Sequence, residues 1–467
     1  MTLNLSIPEQ INDIKPKITV IGIGGAGGNA VNTMINANVN NIEFIAANTD
    51  GQALSRSLTP RQIQLGKNIT SGLGAGSDFE IGRQAAEESL EEVIAELGDS
   101  NMLFITTGMG GGTGSGAAPV IAKAAKEKGL VFMNEIGLDP GIDHMSAMQI
   151  IDRVRDHGAK MLLFESFTGG LVAPESDNNL WNYKFTWNPR NVVLAGQGGA
   201  AMFIQEGTYK YIPYHKLFRR TEFLTVNGSG KFEAYANRDS LKYRGIYGLE
   251  DIPTMYRGTI RKVGFSRAWN VFVQLGMTDD TYKIEDSENM SYRDFTNLFL
   301  AYSPSDSVEL KFRSYLKIDQ DDVMWDKFLE LDIFNPNKKV GLKNASPAQI
   351  LQKILSDKWT LQDDDKDMIV MQHKFGYQYK EEKRQIESSM VIKGDDQTYT
   401  AMAKTVGLPV AMAALKILNG EIKTPGVQLP ITKEVYEPIL KELEEYGITF
   451  IEKKVPYLGY NPENVIG

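Results

Sequence analysis

The sequence predicts an α/β protein in which a parallel-sheet nucleotide-binding domain is followed by a mixed α+β domain with a mainly helical insertion. Short apolar strands alternate with helical segments over residues 18–134, and two glycine-rich runs each follow a strand and open a helix. Beyond residue 130 the chain becomes rich in aromatic, strand-like runs, and it turns helical from about residue 306. Alternating strands and helices indicate a parallel sheet with helices on both faces.

The composition is that of an ordinary globular protein, and it narrows the classes of function. Of 467 residues, 42% are hydrophobic and 23% are charged, and the formal net charge is −9. An acidic chain argues against a nucleic-acid surface or a basic membrane patch. The absence of cysteine excludes disulfides, thiolate metal sites and a cysteine nucleophile. We see no signal peptide and no apolar stretch long enough to span a bilayer, and we therefore expect a cytoplasmic protein without nucleic-acid or membrane partners.

Strand and helix signals follow one another through the first part of the chain. Ile18–Ile23 and Ile42–Ala46 are short apolar strands, and Asn29–Ile35 between them is helical. Ser77, with Glu80 three residues later, forms a capping box that predicts the start of another helix. The alternation continues with strands at Met102–Thr106 and Val131–Asn134.

The first glycine-rich run joins the first strand to its helix and has the spacing Gly22-x-Gly24-x-x-Gly27. Glycine lets the backbone approach a phosphate closely, and the amides at the start of the following helix point at the anion. This spacing fits the dinucleotide fingerprint of Rossmann-like domains. A tight strand–helix turn without a ligand is the alternative.

The second glycine-rich run, Gly108–Gly116, contains six glycines in nine residues. Consecutive amides of such a run can form a nest around an anion, and the hydroxyls of Thr113 and Ser115 add donors. Two convergent runs indicate an extended polyphosphate. A flexible linker is the alternative, but strand and helix signals flank the run.

Residues 16–129 resemble the first half of FtsZ, the bacterial relative of tubulin. Gly108–Gly116 matches the tubulin signature, and Gly24–Asn29, Asn48–Asp50 and Gly72–Gly76 match other loops of the family. The resemblance implies that the chain binds GTP. The residues implied in nucleotide binding are Gly24, Gly25, Ala26, Gly27, Gly28, Asn48, Asp50, Gly110, Gly111, Gly112, Thr113, Gly114 and Ser115.

The second domain of FtsZ has no counterpart in the sequence. In the family that domain carries an Asn-Leu-Asp-x-x-Asp-type loop, which completes GTP hydrolysis on the neighbouring subunit. We find no such loop after Gly129. We therefore expect neither GTP hydrolysis nor filament formation.

From Asn134 onward the chain resembles the catalytic part of saccharopine reductases. The segments that carry this second resemblance, in chain order, are Asn134–His144, Phe167–Glu175, Asn237–Ser240, Tyr256–Arg261 and Thr400–Pro409. The resemblance implies an NAD(P)-dependent oxidoreductase of lysine metabolism, which reduces the imine formed from an aminoadipate semialdehyde and glutamate. It also implies a homodimer formed through the strand-rich middle domain.

The matched residues suit a substrate that carries several carboxylates. Arg238 and Arg261 can each grip a carboxylate through two hydrogen bonds, and Thr259 adds a hydroxyl donor beside Ile260. Taken singly, either arginine also fits a surface ion pair. The resemblance places Asp139 near the nicotinamide and makes it the candidate catalytic residue, although Asp before Pro also starts turns.

NAD(P) is the cofactor that the second resemblance implies. A 2′-phosphate needs a cation after the second strand, and we expect Asp50 to repel it there and to suit a ribose hydroxyl instead. His144 has two interpretations, a satisfied histidine at a helix start or an acid–base group. We predict no metal site, and we interpret the acidic run 363–367 as a solvated loop or helix end.

The sequence thus indicates a chimeric chain that joins two families near residue 130. We expect a nucleotide-binding domain at 1–130, a substrate domain at 131–305, a mainly helical insertion at 306–395 and a helical segment at 396–467 that returns to the core. Three functions stay open: a saccharopine-reductase-like oxidoreductase, a GTP-binding module attached to an inactive reductase domain, and an inactive hybrid.

Overall fold

The structure is a computed structural model that describes residues 17–36, 42–76, 78–98, 100, 102–108, 112–127, 131–226, 228–459 and 465–466. The chain divides into two compact units. The first unit consists of Met1–Ile136 with Ala411–Pro430, and the second of Gly137–Val410 with Ile431–Gly467. The division therefore falls at Ile136, close to the predicted join, and part of the C-terminal segment returns to the first unit.

The first part of the chain alternates strands and helices, as the sequence predicts. Its elements are β1 (Ile18–Ile23), α1 (Gly24–Asn36), β2 (Ile42–Asn48), α2 (Gly51–Ser55), β3 (Gln62–Gln64), α3 (Lys67–Thr70), α4 (Phe79–Glu88), α5 (Leu90–Leu97), β4 (Met102–Thr107), α6 (Gly112–Glu127) and β5 (Val131–Met133). Strands β1 to β4 form a parallel sheet in the order β3-β2-β1-β4. This is the strand order of the Rossmann-type nucleotide-binding half.

Two glycines allow α4 and α6 to pack backbone against backbone. A Cβ atom on Gly82 would lie 2.2 Å from the carbonyl oxygen of Gly112, and one on Gly116 would lie 2.0 Å from that of Phe79. Helix α4 begins after Asp78, whose carboxylate accepts a hydrogen bond from the Glu80 amide at 2.8 Å. The predicted cap, Ser77, lies outside the described residues.

The second part of the chain is a mixture of strands and short helices. Its elements are α7 (Ile142–Asp156), β6 (Lys160–Val172), α8 (Pro189–Val193), β7 (Ala201–Gln205), β8 (Thr208–Ile212), α9 (Tyr214–Leu217), β9 (Thr221–Val226), β10 (Gly230–Ala236), α10 (Tyr243–Ile246), β11 (Thr254–Lys262), α11 (Phe265–Leu275), α12 (Tyr292–Asn297), α13 (Val308–Leu316), α14 (Val323–Glu330), α15 (Pro347–Trp359), β12 (Asp367–Tyr379) and β13 (Glu382–Lys393). The remaining elements are α16 (Ala401–Leu418), β14 (Gly426–Gln428), α17 (Lys433–Glu445), β15 (Ile451–Pro456) and β16 (Val465–Ile466).

One large mixed sheet organises the second unit. Its order is β15-β13-β12-β6-β11-β10-β9-β16, with β7 paired to β11 and β8. Strands β6 and β11 are parallel at its centre, and the pairs that flank them are antiparallel. Trp181, Trp269 and Trp359 lie fully buried in its core. The parallel sheet and the mixed sheet together confirm the predicted α/β fold class.

Two predictions for the region 306–395 need correction. The segment is not mainly helical throughout, because β12 and β13 form a long hairpin in the central sheet. The acidic run is also not simply a solvated loop. Asp365 forms a buried ion pair with Lys184 at 2.5 Å, and Asp367 accepts hydrogen bonds from the amides of Ala401 and Met402 at the start of α16. Buried carboxylates need such partners.

Within the described part of the chain, one helix has the length and apolar composition of a membrane span. It is α16, with a mean hydropathy of 1.5 over 18 residues. By length and composition, α16 contradicts the prediction that no apolar stretch is long enough to span a bilayer. Length and composition alone are weak support for a span, because a core helix of a soluble protein passes the same test.

Candidate functional site

A cavity of about 210 Å³ lies at the carboxyl ends of β1 and β2 in the first unit. Of the predicted nucleotide-binding residues, Gly24, Gly25, Gly28 and Asn48 line it. A Cβ atom on Gly25 or Gly28 would meet no described atom within 4 Å, so the backbone at these two positions is open to a ligand. The cavity lies where Rossmann-type sheets bind nucleotides, outside the carboxyl ends of the strands.

The other glycines of the first run serve the backbone packing beneath this cavity. A Cβ atom on Gly22 would lie 2.4 Å from the carbonyl oxygen of Gly27, and one on Gly27 would lie 2.3 Å from that of Thr106. Gly24 has a φ of +70°, which favours glycine. A tight turn and close helix–strand packing are the roles that glycines play in a dinucleotide-binding turn.

The described parts of the two glycine-rich runs are adjacent. A Cβ atom on Gly24 would lie 3.2 Å from the amide nitrogen of Gly114, and one on Gly108 would lie 2.6 Å from Cβ of Ala26. The second run is mostly helical, however, since α6 already begins at Gly112. Gly110 and Gly111 lie outside the described residues.

Thr113 is engaged within the protein. Its hydroxyl shares a hydrogen bond of 2.6 Å with the hydroxyl of Thr49, and both side chains are buried. Ser115 is partly buried and also has an interaction partner. The hydroxyl of Thr113 therefore links α6 to the end of β2. The amino-acid composition of the glycine-rich run does not predict this role.

Asp50 lies at the start of α2, close to the end of β2. Its carboxylate caps α2 by accepting hydrogen bonds from the amides of Gln52 and Ala53, at 2.8 and 3.2 Å. Asp50 does not line the cavity, whereas Arg56 does. The Arg56 guanidinium makes no hydrogen bond or ion pair with any described residue. Beside it, the buried hydroxyl of Ser57 lacks a hydrogen-bond partner.

In the second unit, polar side chains share one face of the central strands β6 and β11. Successive strand residues point to opposite faces, so Arg257, Thr259 and Arg261 of β11 lie on the same face. Thr168 of β6 is the direct neighbour of Thr259. Among these residues, Thr259 donates its hydroxyl to Asn237 Oδ1 at 2.7 Å.

Asp139 belongs to an ion cluster at one end of this face. Arg257 Nη2 lies 2.6 Å from Asp139 Oδ1 and also contacts Asp143 Oδ2. Burial and the nearby carboxylate of Asp143 raise the pKa of Asp139 to about 6, against the opposing effect of the Arg257 guanidinium. Burial acts to raise the pKa of Asp143 too, but the charge of Arg257, the nearby histidines and the hydrogen bond from the Gly141 amide together lower it.

Arg261 is a buried cation at the other end of the face. Only 2% of the residue is exposed, and its guanidinium carbon lies 5.1 Å from the ring centre of Tyr183 and 5.4 Å from that of Phe265. Its Nη1 donates to the carbonyl oxygen of Ile260, while Nε has no acceptor and no described carboxylate forms an ion pair with it. The residue opposite Arg261 on β10 is Glu233, whose buried carboxylate accepts hydrogen bonds from the amides of Gly264 and Ser266. The Arg261 guanidinium forms no ion pair with it and keeps hydrogen-bonding capacity for an anionic ligand.

Two further buried hydroxyls lie on this face. Thr186 Oγ1 makes no hydrogen bond with the described residues, and the hydroxyl of Thr168 lies beside the Asp139 carboxyl group, whose pKa it acts to lower. A Cβ atom on Gly170, two residues after Thr168 on β6, would lie 2.6 Å from Thr186 Oγ1, which places this hydroxyl over the strand. A buried hydroxyl without a hydrogen-bond partner is uncommon in a native structure, and a bound ligand is one explanation for it.

The remaining candidate residues, Arg238, Ile260 and His144, lie in three different environments. Arg238 is exposed, and its guanidinium has no partner among the described residues. Ile260 is fully buried and belongs to the core. His144 is buried, with Nδ1 2.7 Å from the hydroxyl of Tyr247, which agrees with a satisfied histidine in the first turn of α7.

Sequence reasoning missed Arg257 and Asp143 as members of the site. Both lie inside segments that were matched, Tyr256–Arg261 and Asn134–His144. The signal that could have found Arg257 is its period of two with Thr259 and Arg261, which places all three on one strand face. No local pattern could have paired Asp143 with Arg257, because 114 residues separate them.

The fold is that of a two-unit α/β protein, in which one unit carries a Rossmann-type parallel sheet and the other a mixed sheet. Comparison with known proteins gives the particular families. Residues 137–448 match the saccharopine dehydrogenase C-terminal domain, and the chain belongs to this family. Residues 17–149 match the GTPase domain of the Tubulin/FtsZ family. Both predicted resemblances are thus confirmed, and the chain is a saccharopine dehydrogenase-like region fused to an FtsZ-like segment.

Individual relatives match one part of the chain or the other. Saccharopine dehydrogenase (NADP(+), L-glutamate-forming) of Saccharomyces cerevisiae is 33% identical over 344 residues, which cover 72% of this chain and 76% of the yeast protein. Mitochondrial α-aminoadipic semialdehyde synthase of Rattus norvegicus is 34% identical over 337 residues, which cover 71% of this chain and 36% of the rat protein. Cell division protein FtsZ of Magnetospirillum gryphiswaldense is 63% identical over 130 residues, 28% of this chain and 23% of that protein.

A solved structure resembles nearly the whole chain. Apo saccharopine dehydrogenase (L-Glu forming) from Saccharomyces cerevisiae matches with a TM-score of 0.71 and 26% identity over 94% of this chain and 100% of the yeast chain. Sequence similarity to the yeast protein covers only 72% of this chain. The structural likeness therefore extends beyond the saccharopine dehydrogenase-like region into the FtsZ-like segment.

Proposed function

We propose that this chain is an NADP-dependent oxidoreductase that acts on a saccharopine-like amino acid. The observation that carries the proposal is Arg261, a buried guanidinium without an ion pair on the same strand face as Thr259 and the Asp139 cluster. Saccharopine has three carboxylates and one secondary amine. A buried arginine pairs well with such a carboxylate, because planar bidentate hydrogen bonds offset the cost of burial.

The polar face offers distinct roles to its residues. Arg261 and the hydroxyls of Thr168 and Thr186 would hold one end of the substrate, since each has hydrogen-bonding capacity left over. Thr259 would add a hydroxyl, as the sequence predicts. The exposed guanidinium of Arg238 would reach a second carboxylate.

Asp139 would handle the proton of the substrate amine. In the oxidative direction a C–N single bond becomes an imine, and a proton leaves the nitrogen. A carboxyl group whose pKa is about 6 is largely ionised at neutral pH, yet close enough to neutrality to take up and return a proton. Arg257 would keep the carboxylate in place through its hydrogen bond.

The first unit fits a phosphorylated dinucleotide. The open backbone at Gly25 and Gly28 would hold the pyrophosphate at the start of α1. Arg56 and Ser57 would hold the 2′-phosphate, since a free guanidinium and an unpaired hydroxyl line the cavity. The cofactor, when bound, accepts or supplies the hydride. The name of the yeast relative supports NADP(+) as its identity.

The test is a steady-state assay of the full chain with saccharopine and NADP⁺, followed by the absorbance of reduced nicotinamide. We expect turnover by the native chain, a strong loss of kcat in Asp139→Asn and a raised KM for saccharopine in Arg261→Lys. The matched control is Arg384→Lys, an exposed arginine that pairs with Glu382. No turnover together with no dinucleotide binding would remove the proposal.

A second candidate is a GTP-binding module that lacks GTPase activity. It is favoured by the 63% identity of the first segment to an FtsZ and by the contact between Gly24 and Gly114. Thermal-shift titrations with GTP, NADH, NADPH and saccharopine separate the candidates, because a ligand of the native state raises its stability. Stabilisation by GTP alone, weakened by Gly111→Asp, would favour this module. No response to any ligand would indicate an inactive hybrid.

We also propose that the protein is a cytoplasmic homodimer. The acidic composition supports the location, and the family resemblance of the strand-rich region supports the dimer. Sedimentation velocity of the purified chain measures the mass directly. A species with the mass of one 51.9 kDa chain would contradict the dimer.

A further inference from the structure

The central sheet of the second unit encloses a second polar cavity, on the face opposite to Arg257, Thr259 and Arg261. It has a volume of about 190 Å³. Residues alternate between the faces of a strand, so Glu165 of β6 points away from its neighbours Ser166 and Thr168. The polar side chains that line it are Glu165, Glu222, Gln372, Lys374, Gln385 and Glu387.

This cavity lies inside a curl of the sheet. In the strand order, β9 and β12 are separated by β6, β11 and β10. Even so, Gln372 Nε2 on β12 lies 3.3 Å from the carbonyl oxygen of Thr225 on β9. The sheet must therefore bend until these two strands meet across its concave face. Side chains on that face are removed from bulk water, which makes any unpaired polar atom costly.

Three side chains that line this cavity each carry a buried oxygen atom with no hydrogen-bond partner in the described part of the chain. These atoms are Glu222 Oε1, Gln372 Oε1 and Gln385 Oε1. The three residues are 5%, 3% and 3% exposed, respectively. In both glutamines the amide nitrogen is already used, by Thr225 for Gln372 and by Glu387 for Gln385. The three oxygens therefore accept no hydrogen bond from a described residue, and all three are hydrogen-bond acceptors.

Glu222 forms no ion pair with the described residues, and the side-chain amide of Gln205 lies near enough to its carboxyl group to act on its pKa. Lys374 is held by Glu165 at 3.1 Å. Burial and the negative charge of Glu165 raise the pKa of Glu222 to about 8, although Lys374 and Arg220 act in the opposite direction. Tyr256 also faces Glu222, while Glu387 faces Lys374 and Tyr457 faces Glu165. A cation brought beside Glu222 would favour the ionised form of its carboxyl group.

We propose that this cavity binds the ammonium group of a small primary amine, whose N–H donors reach the free oxygens of Glu222, Gln372 and Gln385. A primary ammonium carries three donors, one for each oxygen, and a single positive charge for Glu222. No group of acidic and histidine residues suited to a metal ion occurs among the described residues, which disfavours a divalent metal as the occupant. The site goes beyond the proposed oxidoreductase and does not depend on it.

Binding of the amine should release a proton. At neutral pH the carboxyl group of Glu222 is mostly protonated, because its pKa is about 8. The arriving cation favours the ionised form and expels this proton, so close to one proton leaves for each amine bound. Affinity should accordingly rise as the pH approaches 8 from below.

The experiment is a calorimetric titration of the full chain with methylammonium in two buffers of different ionisation enthalpy. We expect saturable binding, release of close to one proton, and no binding of tetramethylammonium, which has no N–H donor. Glu222→Gln should weaken binding at least about tenfold and abolish the proton release, since a tenfold change corresponds to one charged contact. The matched control is Glu382→Gln, an exposed carboxylate on β13, which should bind like the native chain.

A second variant tests the proposal even if Glu222→Gln fails to fold. If Glu222→Gln loses its circular dichroism signal, Gln385→Met keeps the side-chain length, removes one acceptor and should weaken binding about fivefold, within the range of one hydrogen bond. The proposal is overturned if methylammonium does not bind, if K⁺ or tetramethylammonium binds equally well, or if the folded variants bind as tightly as the native chain.

Discussion

Arg257 Nη2 lies 2.6 Å from Asp139 Oδ1, and the same guanidinium also contacts the carboxylate of Asp143. The guanidinium carbon lies 3.9 Å from the ring centre of Tyr243, so the cation is covered on that side. Arg257 is only 5% exposed. One arginine therefore compensates two carboxylates, of which Asp143 is almost fully buried.

Arg257→Ala should destabilise the second unit strongly. Its removal leaves the Asp143 charge buried without compensation, which typically costs about 3–5 kcal/mol. All five tryptophans lie between residues 181 and 359, so tryptophan fluorescence in a urea titration reports unfolding of this unit. The control Arg384→Ala breaks a surface pair with Glu382 and should change stability by less than about 1 kcal/mol. Equal effects of the two variants would contradict this account of the cluster.

Asp139 should set the acidic limb of the pH profile for saccharopine oxidation. The ionised carboxylate is the form that can take a proton, so kcat/KM should rise as the pH increases through about 6. In Asp139→Asn the limb should vanish and the residual rate should be at least about a hundredfold lower. Asp152→Asn, on the far end of α7, provides a control with an unchanged profile. An acidic limb that persists in Asp139→Asn would assign the proton transfer to another group.

The sequence predicted the secondary structure best where apolar runs are short and bounded. β1 was predicted at Ile18–Ile23, which are its observed bounds. The role of each glycine in the two glycine-rich runs was harder to predict, because glycine allows both a ligand and a neighbouring backbone to approach closely. Gly25 and Gly28 are open, whereas Gly82 and Gly116 allow two helices to touch. The residue type is the same at all four positions, and only the atoms packed against each glycine in the folded chain differ.

The candidate site was predictable only in part, for a similar reason. Arg261 was identified from its motif, and its place on a strand face follows from the period of two. Its lack of an ion pair and the use of Asp50 as a helix cap depend on distant or backbone partners. A cation that binds a 2′-phosphate is expected directly after the second strand, at Asp50. Arg56 lies six residues further along the chain, so the sequence pattern does not identify it.

Gly116→Ala should loosen the contact between α4 and α6. The new methyl group would lie 2.0 Å from the carbonyl oxygen of Phe79, so the helices must separate, at a cost of about 1–3 kcal/mol. Amide hydrogen exchange of α4 and α6 measures this opening. In the control Gly407→Ala, the methyl group meets no described atom within 4 Å, and better helix propensity should leave α16 equally or more protected. Unchanged exchange in Gly116→Ala would show that the helices are not closely packed.

His373 should make the second unit less stable in acid. Burial lowers its pKa from 6.5 to about 4, so the unfolded chain binds more protons between these two values. The contribution of His373 to stability is present above 6.5 and is lost as the pH falls towards 4, by about 3 kcal/mol in total. His373→Phe keeps the ring that stacks on Phe450 and should flatten the pH dependence of urea unfolding. His157→Phe, at an exposed position, should retain the native slope.

Arg56→Ala should lower the affinity for NADPH without affecting that for NADH. Arg56 lines the nucleotide cavity, and its guanidinium is not engaged by any described residue, so its charge is available to a 2′-phosphate. A charge-assisted hydrogen bond contributes about 1.5–3 kcal/mol, and we therefore expect the Kd for NADPH to rise about tenfold or more. Equilibrium titrations of reduced-nicotinamide fluorescence give both constants, and Lys67→Ala removes an exposed cation of the same unit as a control. If the Kd values for NADPH and NADH rise equally, Arg56 supports the cavity and does not bind the 2′-phosphate. If neither cofactor binds the native chain, the oxidoreductase proposal itself fails.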